Sequence, residues 1–239
     1  MRGAKRLASS SVFLLLACVA ASGFFAEGAR ADRAAIAAAF EARIEGPDQA
    51  PVEDAVVSLV PVSGAREGIS RAKPPRATMD QQGLAFVPHV LAVAVGTVVD
   101  FPNSDQVRHS IYSFSAAKTF EVRLYRGFEA PPITFDAPGL VVLGCNIHDH
   151  MLGFVYVLES PHFAVSDARG AALIPDVPAG RYRLELRHPR LAEGLVVSRE
   201  IELPAAAPLV IALGESPPGR PPARPEVDPL QSLFGAGSR

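Results

Sequence analysis

An all-β chain is predicted, and three features of the sequence predict it. Apolar residues come in short runs that alternate or cluster, as strands do. The apolar fraction of 49% is dominated by Val, Ala and Leu, and 22 Pro with 19 Gly interrupt it at close intervals. No segment repeats its apolar residues with the helical period. With 239 residues the chain has room for one or two domains, and enough apolar sequence to bury a core.

The first 31 residues read as an export signal. Arg2, Lys5 and Arg6 form a positive region, Val12 to Ala21 an apolar one, and Ala29-Arg30-Ala31 a small-x-small cleavage site. The apolar run falls short of the roughly 20 residues a spanning helix needs. A rival reading takes Leu15-Leu16-Ala17-Cys18 as a lipoprotein signal with Cys18 lipidated; Leu16 fits that pattern poorly, and apolar sequence continues beyond Cys18. Cleavage after Ala31 leaves Cys145 as the single thiol, with no partner for an intramolecular disulfide. It also leaves 19 basic and 24 acidic residues, a net charge of −5, which gives no support to nucleic-acid binding.

Each later element has its own signal. Phe40 to Ile44 and Ala55 to Val60 read as two strands joined by a turn at Gly46-Pro47-Asp48. Ser63 to Arg76 is polar, with Gly64, Gly68, Pro74 and Pro75, and reads as a linker. From Leu84 strand signals become dense. Leu91, Val93 and Val95 alternate with Ala92 and Ala94, Val98 to Phe101 resume after Gly96, and Pro102-Asn103-Ser104-Asp105 turns the chain. Ile111 to Phe114, Phe120 to Tyr125, Ile133 to Phe135, Leu140 to Leu143 and Phe154 to Val157 follow, with Pro131-Pro132 and Pro138-Gly139 between them. Ala172 to Ile174, Tyr182 to Leu186, Val196 to Leu203 and Leu209 to Leu213 complete the strands. The tail 214–239 is rich in Pro, Gly and Arg, a composition expected to be disordered.

The chemistry concentrates in Gly144-Cys145-Asn146-Ile147-His148-Asp149-His150-Met151. Soft sulfur with imidazole suits copper, and a Cys with two His and a weak axial Met is the blue-copper ligand set. The loop offers one Cys, a His and the Met; His109, at the start of a strand, offers the second His. His150 places an extra imidazole in the loop and is expected to be an exposed neighbour. His89 reads as structural, and His162 and His188 as surface residues. Gly144 is expected to leave room beside the Cys.

These residues carry a resemblance. The segment from about Met79 to Leu158 looks like a cupredoxin, and Cys145-x-x-His148-x-x-Met151 resembles the short ligand loop of amicyanin. Phe101-Pro102-Asn103, Ile111-Tyr112-Ser113-Phe114-Ser115 and Gly144 to Asp149 resemble exported plastocyanin-like proteins often labelled methylamine-utilization proteins. The resemblance implies a Greek-key β-sandwich over 75–158, one copper ion held by His109, Cys145 and His148 with Met151 axial, and electron transfer with a c-type cytochrome or a periplasmic dehydrogenase. Ser110 stands where many cupredoxins carry Asn. Ala50 to Leu59, Val165 to Gly170 and Asp176 to Leu184 resemble a transthyretin-like carboxypeptidase regulatory module. Residues 38–63 and 160–213 are then expected to form a discontinuous second sandwich; the alternative gives the early strands to the copper domain.

Enzymatic readings find little. There is no Gly-x-Ser-x-Gly and no His-Glu-x-x-His, and six His do not supply the extra pairs of a copper oxidase. The expectation is an exported, periplasmic one-electron carrier and not an enzyme. A periplasmic copper carrier or sensor is the alternative, and an adhesive module that has lost its metal a third.

Overall fold

The computed structural model describes residues 37–63, 73–191, 196–205 and 207–213. The export signal, Cys18 and the tail from 214 lie outside the described residues.

The described residues form seventeen strands and one 3-10 turn, an all-β fold. The first part carries β1 (Ala38–Glu45), β2 (Val56–Pro61), β3 (Arg76–Thr78), β4 (Asp80–Gln81), β5 (Phe86–Val87), β6 (Val90–Ala94) and β7 (Thr97–Asp100). The middle carries β8 (His109–Ser115), β9 (Lys118–Tyr125), β10 (Ile133–Phe135), β11 (Gly139–Gly144) and β12 (Leu152–Leu158). The last are β13 (Phe163–Val165), β14 (Ala171–Val177), β15 (Gly180–Arg187), β16 (Val197–Leu203) and β17 (Leu209–Ala212).

Strands from the two ends of the described chain pair with each other. One sheet runs β14-β1-β17 and another β13-β2-β15-β16. Alternation decides which side chains face inward: Phe40, Ala42 and Ile44 of β1 meet Leu59 of β2 and Tyr182, Leu184 and Leu186 of β15 in one core. The polar partners Arg181, Arg183 and Glu185 fall on the opposite face of β15. Each fully buried large side chain stabilises by about 1.5–3 kcal/mol.

β1 and β2 do not form the hairpin that the turn at Gly46-Pro47-Asp48 suggests. They lie in different sheets, and the connection crosses between them, fastened by Gly46 N–H to Ala50 O at 2.8 Å and Val52 N–H to Ile44 O at 3.0 Å. Of the polar stretch Ser63 to Arg76, residues 64–72 lie outside the described residues, and its last residue, Arg76, opens strand β3, parallel to β7 and fixed by a two-point pair of Arg76 with Asp100. So short a strand has too few residues to show an alternation.

The middle strands enclose a separate core. The sheet β6-β12-β11-β8-β9 faces β10-β7-β3, and Phe86, Val99, Phe101, Ile111, Phe135, Val141, Leu143 and Val155 fill the space. A third cluster joins the two bodies: Val56 of β2, Val90 of β6, and Tyr156 and Leu158 of β12 are buried together. β2 is therefore buried on both faces, and its run of Val and Leu reflects that.

Candidate metal centre

The site sits where two chain segments end side by side. His109 opens β8, and β8 meets β11 at the pair Gly144↔Tyr112. Cys145 follows the last residue of β11 and Met151 precedes the first of β12, so seven residues link those strands. Antiparallel pairing of Gly144 with Leu152 closes this loop, and Met151 N–H donates to His148 O at 2.9 Å. The loop therefore folds His148 back towards Cys145.

Three donor atoms converge. His109 Nδ1 lies 3.0 Å from His148 Nδ1, and Cys145 Sγ lies 3.7 Å from His148 Nδ1 and 4.0 Å from His109 Nδ1. With metal bonds of about 2.0–2.3 Å, a trigonal set would space its donors by about 3.5 Å. The observed separations bracket that value, so the residues fit one small ion of the soft-sulfur, imidazole-loving kind. His109 and Cys145 are buried and His148 is partly exposed.

The electrostatics suit a thiolate. Burial alone would raise the Cys145 pKa, but the hydrogen bond with His109, the backbone N–H groups of Ile147 and Ser110, and the Ser110 hydroxyl outweigh it and lower the value to about 5. For His109, burial works against the charged ring, while contact with Cys145 and Asp105 more than offsets it and raises its pKa. Asp105 shows the mirror image. Burial acts to raise it, and the N–H of Leu84, the His109 ring and the N–H of Gly83 together hold it below the usual carboxylate range.

The other expected residues are placed as follows. Met151 is buried in the same core cluster as Cys145. His150 is exposed, with its ring 6.2 Å from that of His148, and is not one of the three converging residues. His89 bonds Asp54 through Nδ1 at 2.6 Å and packs edge-on against Phe154. His188 is not a surface residue: it is buried, and its Nε2 donates to Glu53 O at 3.1 Å. His162 is half-buried against the Tyr182 ring. The space beside Gly144 is not open. A Cβ there would lie 2.6 Å from Tyr112 Cζ, so the missing side chain admits the tyrosine ring.

Two further residues support the site; the sequence marked Ser110 only as a departure and did not mark Asp105. Ser110 accepts the Asn146 N–H at 2.9 Å and lies 3.7 Å from Cys145 Sγ, strapping the two segments together. Asp105 bonds His109 Nε2 at 2.8 Å. A carboxylate four residues before a candidate ligand, on a turn, is the signal that could have found it.

No family model and no curated protein matches the sequence. Among solved structures it is similar to a Cu-containing nitrite reductase (NirK) from Thermus scotoductus SA-01, at 30% identity and a TM-score of 0.35. That match covers 41% of this chain and spans only 25% of the reductase's length. A purple cupredoxin from Nitrosopumilus maritimus matches at 23% identity and a TM-score of 0.31, over 34% of this chain and 99% of its own. A reduced amicyanin variant matches at 18% identity and a TM-score of 0.33, over 43% and 98%.

Proposed function

We propose that this chain is an exported type 1 copper protein that carries single electrons between periplasmic redox partners. The convergence of one thiol and two Nδ1 atoms within 4.8 Å of one another carries the reading. A bound copper ion supplies the Cu(I)/Cu(II) couple. His109, Cys145 and His148 would hold it, and the buried thioether of Met151 would be the fourth candidate donor. Because His109 and Cys145 are fastened by bonds that need no metal, little has to move when the charge at the site changes.

His148 is the route outward. It is the least buried of the three, and its loop neighbours Ile147 and Leu152 are exposed apolar side chains. A c-type cytochrome or a periplasmic dehydrogenase docks on this patch through the small interface common to redox encounters. The chain acts as a carrier, not a catalyst, and residues 1–31 provide its export to the periplasm.

The test is the visible absorption and EPR spectrum of the mature protein with Cu(II). An intense blue band with narrow hyperfine splitting is expected. A pale protein with ordinary wide splitting would overturn the thiolate site. The alternative, a copper carrier or sensor, would then lead; exposure of His150 and Asp149 beside His148 favours it as a place for metal exchange.

A further inference from the structure

Asp105 is held more firmly than a loop carboxylate needs to be. Oδ1 accepts the Gly83 N–H at 2.7 Å; Oδ2 accepts the Leu84 N–H at 3.0 Å and the His109 Nε2–H at 2.8 Å. Gly83 and Leu84 are the two residues of the tight turn between β4 and β5, closed by Gln82 N–H to Ala85 O at 3.0 Å and its reverse at 3.3 Å. Both have positive φ, 62° and 57°. That is the two-residue hairpin geometry, and it sends both amides to the same carboxylate. Leu84 lacks glycine's freedom, so its conformation carries a cost of order 1 kcal/mol that these contacts sustain.

The rest of the loop is tied to the same hairpin. Asp80 Oδ2 accepts the Ser104 hydroxyl at 2.6 Å, Gln81 N–H donates to Pro102 O at 3.0 Å, and Ser104 N–H donates to Gln81 O at 3.0 Å. Asn103 Oδ1 accepts the Asp105 N–H at 3.0 Å, while its Nδ2 donates to Val107 O and Tyr125 O. Asp105 has no freedom to swing away from His109, and its side chain is only 15% exposed.

We propose that Asp105, gripped by the Gly83–Leu84 turn, is a positioning residue that fixes the proton of His109 on Nε2 and so presents Nδ1 to the metal. This rests on the copper reading above. A carboxylate accepting the far N–H of a ligand histidine sets the tautomer, orients the ring and raises the donor strength of the metal-facing nitrogen. Here it does so with a fixed negative charge, which favours Cu(II) over Cu(I). Asp105 thereby lowers the reduction potential of the site.

The test uses the full mature chain, wild type, Asp105→Asn and Asp80→Asn. Nitrogen-correlated NMR of the metal-free wild type, recorded at a pH high enough for the His109 ring to be neutral, is expected to show the Nε2–H tautomer; a neutral Nδ1–H ring would overturn the proposal without any variant. In Asp105→Asn the tautomer preference is lost and Cu(II) affinity falls by about 10–100-fold. If Cu(I) affinity is unchanged, the potential rises by about 59 mV for each tenfold. Asp80→Asn loosens the loop without touching His109, so its potential stays at the wild-type value. Equal shifts in both variants would reduce Asp105 to a loop anchor, and no shift in Asp105→Asn would remove its role. A wild-type protein lacking the blue spectrum would defeat the copper reading, while the metal-free tautomer would still decide the assignment of Asp105.

Discussion

The two sandwiches bury polar groups for different ends. In the body built from the chain's two ends, each buried polar residue serves its neighbours: Ser166 Oγ donates to Val52 O and accepts the Ala55 N–H, His188 donates to Glu53 O, and Ser58 receives Arg187. Each satisfies a nearby group and points at nothing further. In the middle body, His109, Ser110 and the thiol of Cys145 are turned towards one another. The first arrangement is a packed core with its polar groups answered locally. The second is a core arranged around a place where something can bind.

That contrast can be broken or sharpened by substitution. The largest effect is expected for Cys145→Ser, which removes the thiolate-to-copper transition and with it the visible colour; colour that survives in the absorption spectrum would show that both bodies lack a thiolate site. Next comes Leu184→Ala, deep in the other core and paired with Leu59. It is expected to cost about 2–5 kcal/mol in chemical denaturation while leaving the copper spectrum unchanged. A spectral change would mean the two cores are coupled. Met151→Leu conserves volume, costs less than about 1.5 kcal/mol, and is expected to raise the potential measured by voltammetry, because loss of a thioether donor would disfavour Cu(II). An unchanged potential would move the axial role to His150.

The smallest effect concerns pH. Burial lowers the His188 pKa below 6.5, helped by Arg190 and His89 and opposed by the Glu53 carbonyl and Asp54. The neutral ring is favoured in the folded chain, so its contribution is complete above pH 6.5. It is lost as pH falls from 6.5 through the lower folded value. His188→Gln should therefore flatten the stability profile on that acid side, read by denaturation at successive pH values. An unaltered slope would make His188 a bystander.

Much of this was legible because its signals are local. Alternation in Phe40-x-Ala42-x-Ile44 and Tyr182-x-Leu184-x-Leu186 specifies strands and their inward faces without knowledge of partners. The placing of Cys145, His148 and Met151 in one short loop is equally local. What escaped depends on pairings across the chain. β3, β4, β5 and β13 have two or three residues each, too few for a period to appear. The grip on Asp105 joins a turn at Gly83-Leu84 to a loop some twenty positions on, and nothing in either segment names the other. His188 read as surface because a histidine before a proline suggests a turn, while its burial comes from Glu53, over a hundred residues earlier. Gly144 was read correctly as a demand for space and wrongly as to its tenant, since Tyr112 arrives from another strand.

The pairing of β2 with β13 bears on the order of assembly. Ser58 faces Phe163 and Val56 faces Val165, so about a hundred residues must be looped out before those contacts form. If the middle strands condense first, that free loop shrinks to two short tethers totalling about twenty residues, and closing it costs about 1.4 kcal/mol less. A nascent chain that has emerged only as far as Leu158 already contains all three converging donors, whereas β1 still awaits both of its neighbours, β14 and β17. On that route the binding pocket is ready early, and the chain's first strands are the last to lose their open edges.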